Sequence, residues 1–193
     1  DRQPQARALF GGLLRERSLA ERGEHGFDLV LGDAGTGVTH ADRDPVPPIA
    51  GLATGLGRAG LVAGQRVVAV AGDIGEEKHC TELVDRTVAE FGGIDSLVNT
   101  AAYQMAQEEG IAAISSEQFD RVFKTNVYAM FWLCKAAVPH MSPGSVIINS
   151  SSIQAFQPSP ALLDYATSKA AIVNFTKALA ADLADQGIRV NSV

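Results

Sequence analysis

In the stretch LLDYATSKAAIVNF, residues 162–175, Tyr165 and Lys169 stand four apart in what otherwise reads as a helix. On a helix, positions i and i+4 share a face, so a phenol and an ammonium there can point into one site. A free tyrosine has a pKa near ~10, too high for ready proton exchange at neutral pH. A neighbouring cation favours the phenolate and lowers that value. The chemistry this pair suits is proton transfer to or from a carbonyl or alcohol oxygen. Taken singly, each candidate also has a plainer reading. The pair fits a surface Tyr beside a solvated Lys. Ser151 and Ser152 fit the end of a strand, and Asn126 fits an exposed helix position. Asp73 fits a helix cap, with Glu76 completing a capping box. Joint spacing, more than any one residue, favours the functional reading.

The elements that must position these groups are legible from residue 64 onward. RVVAVAG (66–72) reads as a buried strand, and EEKHCTELVDRTVAEF (76–91) has helical spacing at Cys80, Leu83, Val84, Val88 and Phe91. IDSLVN (94–99) is a second strand. A helix begins at a Ser115 cap with Gln118 three residues on, and is expected to stop within 139–143. SVIINS (145–150), a long helix from LDYATSK to about Asp185, and a strand from residue 188 follow. Strand–helix alternation of this kind implies right-handed crossovers and a parallel sheet, with the four strands expected as parallel neighbours. Ligands sit beyond the carboxyl ends of such strands. That rim carries Gly72 and Asp73, residues 99–102, and residues 150–152. Along the 117–138 helix, Phe123, Val127, Phe131 and Cys134 suit one core stripe. Met130, Trp132 and Val138 lie away from it and predict a second buried contact.

Composition narrows the classes. The 193 residues suit one domain, with 46% apolar and 20% charged residues. A net charge of -6 and no basic stripe argue against nucleic acid as a partner. Cys80 and Cys134 are too few for a disulfide scaffold, so reduced thiols and a cytoplasmic setting are expected. The run VYAMFWLCKAAV is too short to span a bilayer and contains Lys135. The N-terminus lacks the order of a signal peptide, and the four histidines show no metal-ligand spacing. Character changes near residue 64. The first 64 residues hold 12 of the 19 glycines, seven arginines and no lysine, and DRDPVPP breaks them at 42–48. Residues 1–63 are expected to be an irregular Gly/Arg-rich segment, with at most one good strand near residues 28–31. Residues 64–193 form the regular α/β part.

At the rim, INSSSIQAFQPSPALLDYATSK resembles the active-site segment of the short-chain dehydrogenase/reductase family, in which a serine, here Ser152, lies thirteen residues before the tyrosine. GDI at 72–74 resembles the family's adenine-side Asp, LVNTAA at 97–102 its NNAG turn, and KTNVYAMF carries its helix asparagine, Asn126. Thr100 and Ala102 depart mildly from that turn. The wording is most similar to bacterial reductases of the general-stress and aldehyde-reductase type. The resemblance implies a Rossmann-type doubly wound parallel sheet, incomplete at both ends, and an NAD(P)-dependent oxidoreductase moving hydride between nicotinamide and a small carbonyl or alcohol. It implies catalytic Asn126, Ser152, Tyr165 and Lys169. Tyr165 is the general acid/base, Lys169 tunes it and grips the ribose, Ser152 polarises the carbonyl, and Asn126 holds a water linking Lys169 to solvent. Asp73, Ile74, Asn99, Ala101, Tyr165 and Lys169 are implied contacts of NAD or NADP. Pairing of equivalent helices across a two-fold implies a homodimer or homotetramer.

Two glycine stretches compete for the family's phosphate loop. In DLVLGDAGTGV the glycines are one residue too tightly spaced, whereas in IAGLATGLGRAG a PVPP precedes them where a strand belongs. The first 60 or so residues are therefore expected not to be the family's native N-terminal region. Beyond RVNSV the family continues into a turn under the nicotinamide and a substrate-covering loop. The competing expectation is a non-catalytic partial domain that keeps only packing and association surfaces. An extended-type epimerase shares YxxxK but suits the KTN and GDI spacing less well.

Overall fold

The computed structural model describes residues 11–19, 24–32, 67–70 and 72–193, with side chains for Val70 and 72–193. Six strands form one sheet: β1 (Gly11–Leu19), β2 (Glu24–Gly32), β3 (Val67–Val70), β4 (Ile94–Asn99), β5 (Met141–Asn149) and β6 (Arg189–Ser192). The helices that matter for the site are α1 (Glu77–Phe91), α2 (Ser116–Phe123), α3 (Ala129–Ala137) and α4 (Leu163–Asp182). A single π-helical turn, Lys124–Tyr128, joins α2 to α3.

The sheet order is β3-β2-β1-β4-β5-β6, the order of open dinucleotide-binding sheets. Pairing is parallel for β4–β5 and β5–β6, as the alternation predicts, and also for β2–β3. Two points differ from expectation. Residues 11–32 contribute two strands rather than one, and these separate β3 from β4, so the four expected strands are not consecutive neighbours. In addition, β1 runs antiparallel to both β2 and β4. The reason is connection length: only residues 20–23 lie between β1 and β2, enough for a hairpin and far too few for a parallel crossover. The end of β1 at Leu19 and the start of β2 at Glu24 therefore lie at the rim opposite Asn99. The end of β2 at Gly32 lies at the same rim as the ends of β3, β4 and β5. The glycines of the two candidate phosphate loops beyond Gly32 lie outside the described residues.

The core forms where apolar positions of the strands meet the helices. Leu97 and Ile147, at 1% and 0% exposure, sit on β4 and β5 among Leu83, Val84, Ala129, Leu133 and Ile172. In α1 the buried positions are Cys80, Leu83, Val84, Thr87 and Phe91. Thr87 enters the core because its hydroxyl donates to the Leu83 carbonyl at 2.7 Å. The helix stops at Gly92, whose φ of 81° only glycine adopts cheaply, and whose N–H donates to the Val88 carbonyl at 2.7 Å. Cys80 and Cys134 are free and buried, and burial pushes both thiols up to about 12, so neither is a thiolate nucleophile.

The face expected of the 117–138 helix is turned. Val122, Asn126, Ala129, Met130, Leu133, Cys134 and Ala137 face the interior, whereas Phe131 is 43% exposed and Tyr128 45%. Trp132 is partly buried against the core. α3 packs on α1, with Ala129 and Ala137 buried, while Tyr128 and Phe131 turn outward. Phe119 stacks on Phe123 at 4.8 Å, and Phe131 meets Phe175 of α4 edge-on at 6.3 Å. Among the described residues no helix is long and apolar enough to cross a membrane.

Truncating a core strand residue should be costly because a cavity remains. Leu97→Ala is expected to lower unfolding free energy by about 2–5 kcal/mol, read by urea denaturation. A loss under about 1 kcal/mol would mean that β4 is not central to the core.

Candidate active site

Two strand ends and two helical segments build the site. Leaving β4, Asn99 is buried and donates its amide to Asn149 Oδ1 on β5 at 2.8 Å, and Asn149 donates to Thr176 Oγ1 on α4 at 3.0 Å. The Ser150 N–H donates to the Asn99 carbonyl at 2.8 Å, which carries the pairing one residue beyond the strands. Asn99 thus ties β4 to β5. Its Oδ1 is buried with no hydrogen-bond partner. A cavity of ≈ 20 Å³ lies here, lined by Ile74, Asn99, Ala101, Asn126 and Ser150 among others. Four sequence-predicted residues therefore share one small space.

Tyr165 and Lys169 lie in the first turns of α4, and both are inside. Tyr165 is 9% exposed and Lys169 is 2% exposed. The Lys169 Nζ donates to the Ser150 carbonyl at 2.7 Å and lies 5.5 Å from the centre of the Tyr165 ring. Burial lowers its pKa from 10.5 to about 8. The amine and the phenol ring are thus brought together at the end of β5, one helical turn apart.

Asn126 sits in the π turn, where the Ala129 N–H reaches back to the Lys124 carbonyl. Such turns recur at functional sites. Its side chain is fully engaged. Oδ1 accepts from the Tyr103 N–H at 2.7 Å, and Nδ2 donates to the Tyr103 carbonyl and to Ser168 Oγ, each at 3.0 Å. Ser152 and Asp73 are held in local turns of their own. Ser152 Oγ accepts from the Gln154 N–H at 3.2 Å. Asp73 is exposed, and its Oδ1 accepts from the Gly75 N–H at 2.8 Å. The expected capping box does not form, because α1 starts after Glu76 and Glu76 makes no side-chain cap. The Ser115 cap does form, accepting from the Gln118 N–H at 3.1 Å. Among the described residues no group of His, Cys, Asp and Glu could hold a metal ion.

The sequence did not single out several side chains that support this site, Tyr103, Asp164 and Ser168, and it marked Gln118 only as part of a helix start. Asp164 carried a readable signal, since a carboxylate inside LLDYA on an apolar helix is costly unless something holds it.

Fold and site together define a dinucleotide-binding type of α/β protein, and known proteins say which family. A family model described as Enoyl-(Acyl carrier protein) reductase matches residues 52–193. General stress protein 39 of Bacillus subtilis (strain 168) is 48% identical over 130 residues, which are 67% of this chain and 45% of that protein. NADPH-dependent aldehyde reductase 1, chloroplastic, of Arabidopsis thaliana is 44% identical over 126 residues, 65% of this chain and 43% of that one. The crystal structure of a short chain dehydrogenase from Burkholderia cenocepacia J2315 in complex with NADP superposes with a TM-score of 0.68 and 30% identity, covering 74% of this chain and 56% of that one. The chain belongs to the short-chain dehydrogenase/reductase family. It spans less than half the length of the curated relatives it matches.

The buried amine makes a pH prediction. A cation whose folded pKa is lowered opposes folding below that pKa, and stability rises with pH wherever the unfolded chain binds more protons. For Lys169 that window runs from about 8 to the ordinary lysine value of 10.5. Lys169→Met is expected to be more stable than the parent at neutral pH, by up to about 3 kcal/mol less the lost hydrogen bond. The gap should close as pH rises through the window, followed by urea denaturation. A gap independent of pH would show that the amine is not charged against its burial.

Proposed function

We propose that the protein is an NAD(P)-dependent oxidoreductase that interconverts a small carbonyl and its alcohol, with Tyr165 as the proton donor. The observation that carries this reading is the Lys169 amine, buried beside the Tyr165 ring with a pKa lowered to about 8. A surface tyrosine beside a solvated lysine would have neither burial nor a shifted amine. Tyr165 gives its phenolic proton to the carbonyl oxygen as that oxygen gains charge. Lys169, in its protonated form, favours the phenolate that results. The Ser152 hydroxyl donates to the same oxygen and stabilises its developing charge. Asn126 supports the helical turn beside them, and by family resemblance holds the water that returns a proton to Lys169.

The residues present fit a nicotinamide cofactor at the rim. The parallel strands β3, β4 and β5 end there, a buried acceptor on Asn99 is unpartnered, and Asp73 presents an exposed carboxylate. Asp73 and Ile74 would take the adenine side, Asn99 and Ala101 the middle, and Tyr165 and Lys169 the ribose. NAD or NADP supplies the hydride when bound. The Burkholderia relative's NADP and the Arabidopsis relative's aldehyde-reductase name support this choice.

A second reading, a partial domain that packs and associates without catalysis, is favoured by one feature. β1 is reversed, so its end at Leu19 lies away from the rim where a phosphate loop belongs. In either reading we propose that a second copy covers the outward aromatic face of α2 and α3. Phe119, Tyr128 and Phe131 are all more than a third exposed. An isologous contact is the commonest way to cover such a face.

In the full-length protein, Tyr165→Phe is expected to lower reduction of a small aldehyde by about 10²–10⁴-fold while leaving nucleotide affinity intact. Lys169→Ala should weaken both. Nucleotide fluorescence titration beside steady-state rates separates the two, and equal affinity in both variants would refute the divided roles. No saturable binding of NADH or NADPH by the parent would favour the partial-domain reading. Sedimentation at micromolar concentration is expected to give a dimer or tetramer, and a clean monomer would overturn the proposed association.

A further inference from the structure

Asp164 is 0% exposed, stands immediately before Tyr165, and has no part in the chemistry above. A carboxylate so placed is costly unless its lone pairs are met. Both oxygens are met, and by amides. Oδ1 accepts from the Tyr165 N–H at 2.7 Å, and Oδ2 accepts from Gln118 Nε2 at 2.7 Å. The helix needs the first of these bonds. The residue at the N-cap of α4 is Leu162, which offers no side-chain acceptor, so the first turn's N–H groups lack the usual partner. An exposed Ser or Asp at the cap would meet that need without burying a charge.

The second bond is what a cap does not explain. Gln118 is itself fixed at both ends. Its N–H is held by Ser115 Oγ, and its Oε1 accepts from Gln107 Nε2. Gln107 in turn donates its backbone N–H to the Ala161 carbonyl at 2.8 Å, just upstream of α4. Three segments distant in sequence thus converge on the first turn of α4. From the other side, Ser168 Oγ donates to the Tyr165 carbonyl at 2.7 Å and accepts from Asn126 Nδ2. Both peptide groups of Tyr165 are therefore gripped by buried side chains, and both grips run back to the helical segment 116–128.

We infer that Asp164 is a positioning residue for Tyr165. Held by Gln118, its carboxylate fixes the first turn of α4 so that the phenol keeps its place beside Lys169. This rests on the reading of Tyr165 as the proton donor. The network itself can be tested apart from that reading.

The donor and acceptor of the Asp164–Gln118 bond can be exchanged. Asp164→Asn alone sets two amide donors against each other, and Gln118→Glu alone sets two carboxylates together. In the double variant the new amide at 164 would donate to the new carboxylate at 118, and Gln107 would keep an acceptor. In the intact protein, hydrogen exchange at the Tyr165 amide is expected to speed up about tenfold or more in each single variant and to return near the parent value in the double. Turnover of a short aldehyde with NADPH should fall about tenfold or more in the singles, with KM for NADPH changed by less than about twofold, and should recover in the double. The inference is overturned if the singles exchange like the parent, or if the double is no slower to exchange than the singles. Exchange that follows this pattern with no aldehyde turnover in the parent would keep Asp164 as the residue that positions Tyr165 and count against the reductase reading instead.

Discussion

The end of the sheet is organised around one buried ammonium. The Lys169 amine donates to the Ser150 carbonyl, and that carbonyl belongs to the first residue past β5. A backbone oxygen at a strand end has no ladder partner of its own, so bonding it satisfies two groups at once. The consequence is geometric. The start of α4 cannot rotate about its axis without leaving an amine in an apolar interior, so Tyr165, one turn earlier, is held with it. The burial that lowers the amine's pKa is the same burial that sets its direction.

Around that tie, polar groups in the interior are arranged as a ladder. Asn99, Asn149 and Thr176 connect β4, β5 and α4 in one line, and Asn126, Ser168 and the Tyr165 carbonyl form a second. Apolar packing alone tolerates small slides between a sheet and a helix. Chains of buried hydrogen bonds do not, because each slide leaves a donor or acceptor unmet. The core supplies most of the cohesion through Leu97, Ile147 and Leu83, and the ladders supply the register.

From residue 64 onward the fold was legible because strand and helix periods alternate cleanly, and the limits of β4 and the Ser115 cap follow from local chemistry alone. Two things were not legible. The face of α3 could not be read because apolar residues lie nearly all round it, and periodicity then gives no direction. The strands in 11–32 were obscured because glycine and arginine dilute the alternation that marks a strand, and because hairpin pairing is set by partner strands further along the chain. Of the candidate site, the four-residue spacing singled out Tyr165 and Lys169, and the family resemblance singled out Asn126. Asp164 and Ser168 were missed because their significance depends on burial and on residues more than forty positions away.

The reversed strand β1 also bears on the order in which the chain can assemble. β1 and β2 are close in sequence, so their antiparallel pairing can form early from local encounters. The other edge of β1 pairs Gly12 with Val98, and that contact must wait until the chain between them has been brought together. The β4–β5–β6 half depends on nothing before residue 94 for its own strand pairing. Each half of the sheet can therefore pair its own strands without the other, and the β1–β4 seam is the contact of longest range that joins them.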